Sequence, residues 1–89
     1  MNAVARLLLD TADLLRREGW IQGAFWRDGE GYSLERALGL NVAHTEEDWA
    51  VYIAAYDRVA ELIGTDNLAA WNDEPGRMKD QVLAVLEAA

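Results

Sequence analysis

Apolar residues spaced three and four positions apart in two long segments constrain the fold more than any other feature. In the first segment, apolar side chains recur at this helical spacing from Val4 to Leu15. Asn2 is a suitable N-cap, and Gly19 follows two arginines where a helix would end. An apolar stripe along one side of a helix must be buried against a neighbour. We therefore predict a first helix that packs into a bundle.

The second segment predicts a longer helix, which Thr45 caps and Gly64 ends. Three acidic residues follow Thr45 and suit the positive end of a helix dipole. The apolar stripe of this helix is wide and comprises Trp49, Tyr52, Ile53, Tyr56, Val59, Ala60 and Ile63. This width predicts a central helix against which the first and last helices pack.

The segment from Trp20 to Tyr32 loses the helical period, yet it is rich in aromatic residues and glycine. The Asp28-Gly29 pair is typical of a tight turn between two short strands. We therefore predict a short β-hairpin between the first two helices.

Shorter helices are predicted in the rest of the chain. Ser33 would cap one that runs through Leu38 and stops at Gly39, and Asp66 would cap another that ends by Asp73. Residues 74–77 fit a type II turn, with proline second and glycine third. A last helix is predicted from Lys79 onwards.

Together these elements predict a mainly α fold, a compact bundle of four to five helices with one short β-hairpin. The chain has 89 residues, about the size of one small domain. We therefore predict a single helical domain over residues 1–89.

Charge and cysteine content exclude several classes of function. Sixteen acidic residues against eight basic ones give a net charge of −8, which disfavours direct binding to nucleic acid. The chain contains no cysteine, so disulfides, thiol nucleophiles and cysteine-based metal sites are excluded. No apolar run is long enough to cross a membrane. These features predict a cytoplasmic protein without membrane contact.

The aromatic residues are the main uncertainty in the predicted core. The chain has four tryptophans, three tyrosines and one phenylalanine, and a domain this small needs large apolar side chains to be stable. We therefore predict that most of them are buried. Any that is exposed becomes a candidate for binding a partner, and Trp26 is our candidate for such a residue.

A second candidate site lies in the stretch from Trp71 to Arg77. The structural interpretation is a helix stop, a tight turn and a helix start, with Asp73 or Glu74 close enough to pair with Arg77. The functional interpretation makes Asn72, Asp73 and Arg77 a polar loop that holds a ligand or a partner, since guanidinium groups bind carboxylates and phosphates well. Both interpretations stay open.

Catalytic, cofactor-binding and metal-ligating residues are not predicted. His44 is the only histidine, and its position just before the predicted cap at Thr45 gives it a structural explanation. Phosphate-binding loops, dinucleotide fingerprints and recognisable nucleophile-base spacings are lacking in the sequence. The chain is therefore predicted to act without a cofactor and is not expected to be an enzyme.

Two stretches resemble a family of small uncharacterised domains from actinobacteria and the phages that infect them. They are residues 14–24, which include Gly19-Trp20-Ile21-Gln22-Gly23, and residues 69–77 with the string Trp71-Asn72-Asp73-Glu74-Pro75-Gly76-Arg77. Members of this family carry threonine where this chain has Met78, so the last helix loses a capping hydroxyl. Gln81 is placed to compensate by reaching back to the Met78 amide. The resemblance implies an actinobacterial or phage origin and no particular activity.

These observations favour a non-enzymatic protein-interaction module, such as a phage accessory protein that acts on a host protein. A homodimer formed through the wide face of the third helix is an alternative. Two others are a small-molecule binder or enzyme that uses the Trp71 to Arg77 loop, and an acidic mimic of nucleic acid.

Overall fold

The computed structural model describes residues 2–42 and 46–89, and these form five helices and one two-stranded antiparallel sheet. The elements are α1 (Ala3–Glu18), β1 (Trp26–Arg27), β2 (Gly31–Tyr32), α2 (Leu34–Leu40), α3 (Glu46–Ile63), α4 (Leu68–Asn72) and α5 (Lys79–Ala88). The predicted mainly α bundle with a hairpin between its first two helices is confirmed. The predictions for His44 and Thr45 lie outside the described residues.

Helix α1 begins and ends at the predicted residues. The Asn2 side chain accepts a hydrogen bond from the Ala5 amide at 2.8 Å, which satisfies one of the free donors of the first turn. At the other end Gly19 has a φ of 99°, a conformation that residues with a side chain rarely adopt. The chain can therefore leave the helix directly towards the hairpin.

The centre of the bundle is α1 and not α3, contrary to our prediction. Helix α1 packs against α2, α3 and α5, whereas the principal neighbour of α3 is α1. Helix α3 contributes only Ala55 and Val59 to the buried core. Its stripe is wide because part of it faces solvent, which periodicity alone does not reveal.

The core is aliphatic. Its buried members are Leu7, Leu8, Ala12, Leu15, Leu34, Ala37, Leu38, Ala55, Val59, Leu68, Val82 and Leu86. All eight aromatic residues lie in the described part of the chain, and none of them is fully buried. The prediction of an aromatic core is therefore right only at its edge: leucines fill the centre, and five half-buried aromatic residues pack against it, namely Trp20, Tyr32, Tyr52, Tyr56 and Trp71.

The hairpin follows the predicted Asp28-Gly29 turn. Trp26 pairs with Tyr32 and Arg27 with Gly31, and the Glu30 amide closes the turn on the Arg27 carbonyl at 3.1 Å. On its other side, β2 contacts Trp20 through an isolated parallel bridge. The hairpin is thereby fixed to the chain that leaves α1.

Two predicted boundaries of the shorter helices are wrong. Helix α2 continues through Gly39 to Leu40, because Gly39 is not among the glycines with positive φ and keeps a helical backbone. Helix α4 is capped by Asn67 and not by Asp66, since the Asn67 side chain accepts a hydrogen bond from the Ala70 amide at 3.0 Å.

The turn before the last helix matches its prediction. The Arg77 amide donates to the Glu74 carbonyl at 3.0 Å, and Gly76 has a φ of 86°. The Gln81 side chain accepts from the Met78 amide at 2.8 Å, as expected, while the hydrogen bond that an N-cap hydroxyl would accept from the first turn of α5 is not made by Met78.

Candidate functional site

Asn72 is buried at the end of α4, and its side-chain amide joins three parts of the chain. Its Oδ1 accepts from Trp20 Nε1 at 2.6 Å and from the Leu34 amide at 3.0 Å. Its Nδ2 donates to the Ile21 carbonyl and to Asp73 Oδ1, both at 3.0 Å. Two donors and two acceptor positions are thus occupied inside the protein. The structure therefore places this candidate residue where it positions other segments.

Asp73 and Gln22 extend the same network. Asp73 Oδ1 accepts from the Gly23 amide at 3.0 Å. Gln22 Nε2 donates to the carbonyls of Asn72 and Glu74, at 3.0 and 2.9 Å. Residues 72–74 are in this way bonded to residues 20–23. Together they hold the segment that leads into the hairpin.

Arg77 lies against Trp71. Its guanidinium carbon is 3.9 Å from the Trp71 ring centroid, and its Nε donates to the Trp71 carbonyl at 3.0 Å. Across residues 2–42 and 46–89, Arg77 forms no ion pair with Asp73 or Glu74, contrary to our prediction. The stacked position directs the guanidinium to the ring and the helix end, where both cation–π and hydrogen-bond contacts are available.

Trp26, the fourth candidate, is exposed and has exposed aromatic neighbours. The exposed fractions are 57% for Phe25, 54% for Trp26 and 59% for Trp49. Trp49 stacks on Tyr52, with 5.1 Å between ring centroids and 16° between ring planes. The exposed aromatic surface therefore includes residues from both the hairpin segment and α3.

A groove of about 310 Å³ lies between the hairpin segment, α2 and α3. We call it the aromatic groove, and it is lined by Phe25, Trp26, Glu35, Arg36, Gly39 and Tyr52. Gly39 is close to the Tyr52 ring: if residue 39 had a Cβ atom, that atom would be 4.0 Å from Tyr52 Cε2. The continuation of α2 through Gly39 thus helps to form the floor of the groove.

Two charged side chains lie in the aromatic groove. The Arg36 guanidinium carbon is 5.8 Å from the Trp26 ring centroid, within the range of a cation–π contact. Burial raises the pKa of the Tyr52 phenol, and the negative charge of Glu35 and the neighbouring Tyr56 raise it further. The Glu35 carboxylate is therefore close enough to Tyr52 to affect its ionisation.

Two smaller hollows adjoin the groove. One, of about 210 Å³, lies beside the Asn72 network and is lined by Gly23, Ala24, Phe25, Ser33, Ala69 and Asp73. The other, of about 230 Å³, lies near Trp26 and the hairpin turn. Its lining includes Arg17 and Arg27 together with Glu18 and Asp28, so its charges balance.

Comparison with known proteins identifies the family. A model of the family of unknown function DUF6197 matches residues 1–89. The chain belongs to this family. No curated protein and no solved structure matches the chain. Because the function of this family is unknown, a function for this chain has to be inferred from the residues on its surface.

Sequence reasoning selected Trp26 but missed most of the groove around it. Phe25 and Tyr52 were expected in the core, and Glu35, Arg36 and Gly39 were not among the candidate residues. The available signal was the excess of aromatic residues over what a small leucine-rich core can bury.

None of the helices in the described ranges has the length and hydropathy that crossing a membrane requires.

Proposed function

We propose that this protein is a non-enzymatic interaction module that binds a partner protein through the aromatic groove. The observation that carries the proposal is the exposure of Phe25 and Trp26, which line one groove, together with the exposure of Trp49, which stacks on the groove residue Tyr52. Each of these aromatic side chains is large and about half exposed, so together they expose several hundred Å² of apolar surface. Monomeric proteins rarely expose contiguous apolar patches larger than a few hundred Å², and such patches mark interaction sites.

The chemistry of the groove suits recognition of a protein. Tryptophan and tyrosine provide large contact areas and lose little conformational entropy on binding, which is why they dominate binding hot spots. The Asn72 network supports the proposal, because it fixes residues 20–23 and so limits the motion of the segment that carries Phe25 and Trp26. A surface that is ordered before binding costs less to engage.

The resemblance to actinobacterial and phage domains gives the proposal a biological setting. We propose that the protein is a phage accessory protein that acts on a host protein in the actinobacterial cytoplasm. The absence of cysteine is in keeping with a reducing compartment.

Affinity capture from an actinobacterial lysate tests the proposal. Trp26→Ala removes a ring that lines the groove, and Trp49→Ala removes the ring that stacks on the groove residue Tyr52. Leu62→Ala is the matched control, because Leu62 is an exposed apolar residue of α3 that does not line the groove. We expect the wild type and Leu62→Ala to retain a partner that both tryptophan variants lose. Capture that is equal for all four proteins would overturn the proposal.

A small-molecule site is a second candidate function, and the hollow of about 210 Å³ beside Asp73 favours it. Its lining is largely apolar, with Ser33 and Asp73 as the polar side chains. A thermal-shift screen of polar metabolites tests it, with Asp73→Asn as the variant. A ligand whose stabilising effect is lost in the variant would support this function, and the lack of any such ligand would reject it.

A further inference from the structure

We infer that the aromatic groove receives a positively charged side chain, arginine or lysine, from a basic segment of the partner protein. This inference rests on the proposed function and specifies the chemistry of the partner. Its basis is the combination of aromatic rings with a carboxylate in one groove, in a molecule of net charge −8.

The rings supply the first part of the recognition. A cation over the face of tryptophan, tyrosine or phenylalanine is attracted by the negative face of the ring, most strongly for tryptophan. Phe25, Trp26 and Tyr52 all line the groove. Arg36 shows that a guanidinium already approaches the Trp26 ring, at 5.8 Å from its centroid. The guanidinium of a partner would make the same kind of contact with the rings.

Glu35 supplies the second part. Its carboxylate lines the groove, and no ion pair involves it among residues 2–42 and 46–89. Arg36 is next to it in sequence but is directed at Trp26. An incoming arginine or lysine would give Glu35 a cationic partner next to Tyr52, whose phenol is itself partly removed from solvent by burial. Ion pairs in partly desolvated sites are stronger than those on an open surface.

The charge of the whole molecule favours a basic segment over an acidic one. A net charge of −8 attracts basic partners over distances of about 10 Å, roughly the screening length in physiological salt. Arg17 and Arg27 lie on the hairpin side of Trp26, but Glu18 and Asp28 line the same hollow and balance them. An acidic segment would therefore approach against a net repulsion.

Substitutions at two neighbouring residues of opposite charge, Glu35 and Arg36, test the inference. The probes are three fluorescent nine-residue peptides of alternating charged and apolar residues, with arginine, glutamine or glutamate at the charged positions. Binding is measured by fluorescence anisotropy. We expect the arginine peptide to bind most tightly. We expect Glu35→Gln to weaken its binding about threefold to tenfold, and Arg36→Gln to strengthen it, because that change removes a competing cation from the Trp26 ring.

Glu61→Gln is the control for non-specific attraction, because it removes one exposed negative charge of α3 outside the groove. Equal weakening by Glu35→Gln and Glu61→Gln would overturn the inference. A preference for the glutamate peptide that Arg36→Gln abolishes would overturn it as well, and so would the absence of peptide binding. Circular dichroism melting of each variant checks that the fold is retained.

The outcomes separate this inference from the proposed function. If the tryptophan variants lose the cellular partner while Glu35→Gln leaves the arginine peptide unaffected, the interaction module stands and the charge assignment fails. If the peptide binds as expected but no cellular partner depends on Trp26, the groove chemistry stands and the proposed function fails.

Discussion

At the scale of single residues, Asn72 does what no apolar residue and no simple hydroxyl can do. Its amide has donors and acceptors on one rigid plane, and it uses both to bond Trp20, Ile21 and Leu34. A buried polar group that loses such a partner destabilises the fold, because the free-energy cost of removing the group from water is no longer offset by a hydrogen bond. The order of the segment before Trp26 therefore depends on one side chain that lies far from Trp26 in sequence.

Asn72→Ala should lower the free energy of unfolding by about 3 to 5 kcal/mol, because it leaves buried donors and acceptors without partners. Urea unfolding monitored by tryptophan fluorescence measures the loss. Asn67→Ala is the control, since it removes an exposed helix cap worth about 1 kcal/mol. A loss for Asn72→Ala no larger than that of the control would show that the network is unimportant.

Tyr52 should lose its proton at a pH above the ordinary value for tyrosine, because burial, Glu35 and Tyr56 raise its pKa above the usual 10.0. A phenol whose pKa is raised by folding contributes stability that is complete below pH 10 and is lost as the pH rises through the folded-state value. Alkaline titration of tyrosinate absorbance tests this, with Tyr52→Phe removing the late step. A single step at the ordinary tyrosine pKa would contradict the assignment.

At the scale of elements, the hairpin is held against the end of α1 by a close crossing of two backbones. A Cβ at Gly31 would collide with the backbone of Gly19, and a Cβ at Gly19 would collide with the Glu30 carbonyl. Both glycines have positive φ as well. The position of the hairpin that carries Trp26 therefore depends on two glycines, because a side chain on either of them would collide with the opposite backbone.

Gly31→Ala should destabilise the protein by at least about 2 kcal/mol more than Gly29→Ala. Both positions have positive φ, but Gly29 has open space around it and a φ of 76°, whereas Gly31 meets the Gly19 backbone and has a φ of 128°. The difference between the two variants therefore reports the collision together with the greater backbone strain at Gly31. Thermal unfolding followed by circular dichroism measures the difference. Equal effects of the two substitutions would mean that the crossing can relax without cost.

Local patterns predicted the elements much better than they predicted the surface. Apolar spacing with Asn2 and Gly19 correctly located α1, and the Asp28-Gly29 pair correctly indicated the hairpin, because caps and turns depend on nearby residues. The position of Trp49 was predicted wrongly, since the helical period identifies a stripe but not which part of it a neighbour covers.

The excess of aromatic residues in the sequence indicated that some of them are exposed, but it did not locate the aromatic groove. Its lining comes from the hairpin segment, α2 and α3, with Phe25 and Tyr52 far apart in the chain. The Asn72 network likewise joins residues about fifty positions apart. Such contacts depend on how the elements pack, whereas the choice of Trp26 required only the general rule that exposed aromatic residues bind partners.

At the scale of the whole molecule, charge opposes self-association while the groove favours a partner. Two copies that each carry a net charge of −8 repel one another. We therefore expect sedimentation equilibrium to give the monomer mass of 9.9 kDa up to high micromolar concentration in low salt. A dimer that dissociates on Trp26→Ala would instead identify a second copy of the chain as the occupant of the groove.

Oxidative footprinting of the captured complex tests the central claim most directly, since it reports which side chains a partner covers without altering the protein. The proposed interface predicts that Trp26, which lines the groove, and Trp49, which stacks on the groove residue Tyr52, become protected on binding. Met78 is also exposed but does not line the groove, and it should keep its reactivity. Protection of Met78 with unchanged oxidation of both tryptophans would place the interface elsewhere and contradict the claim.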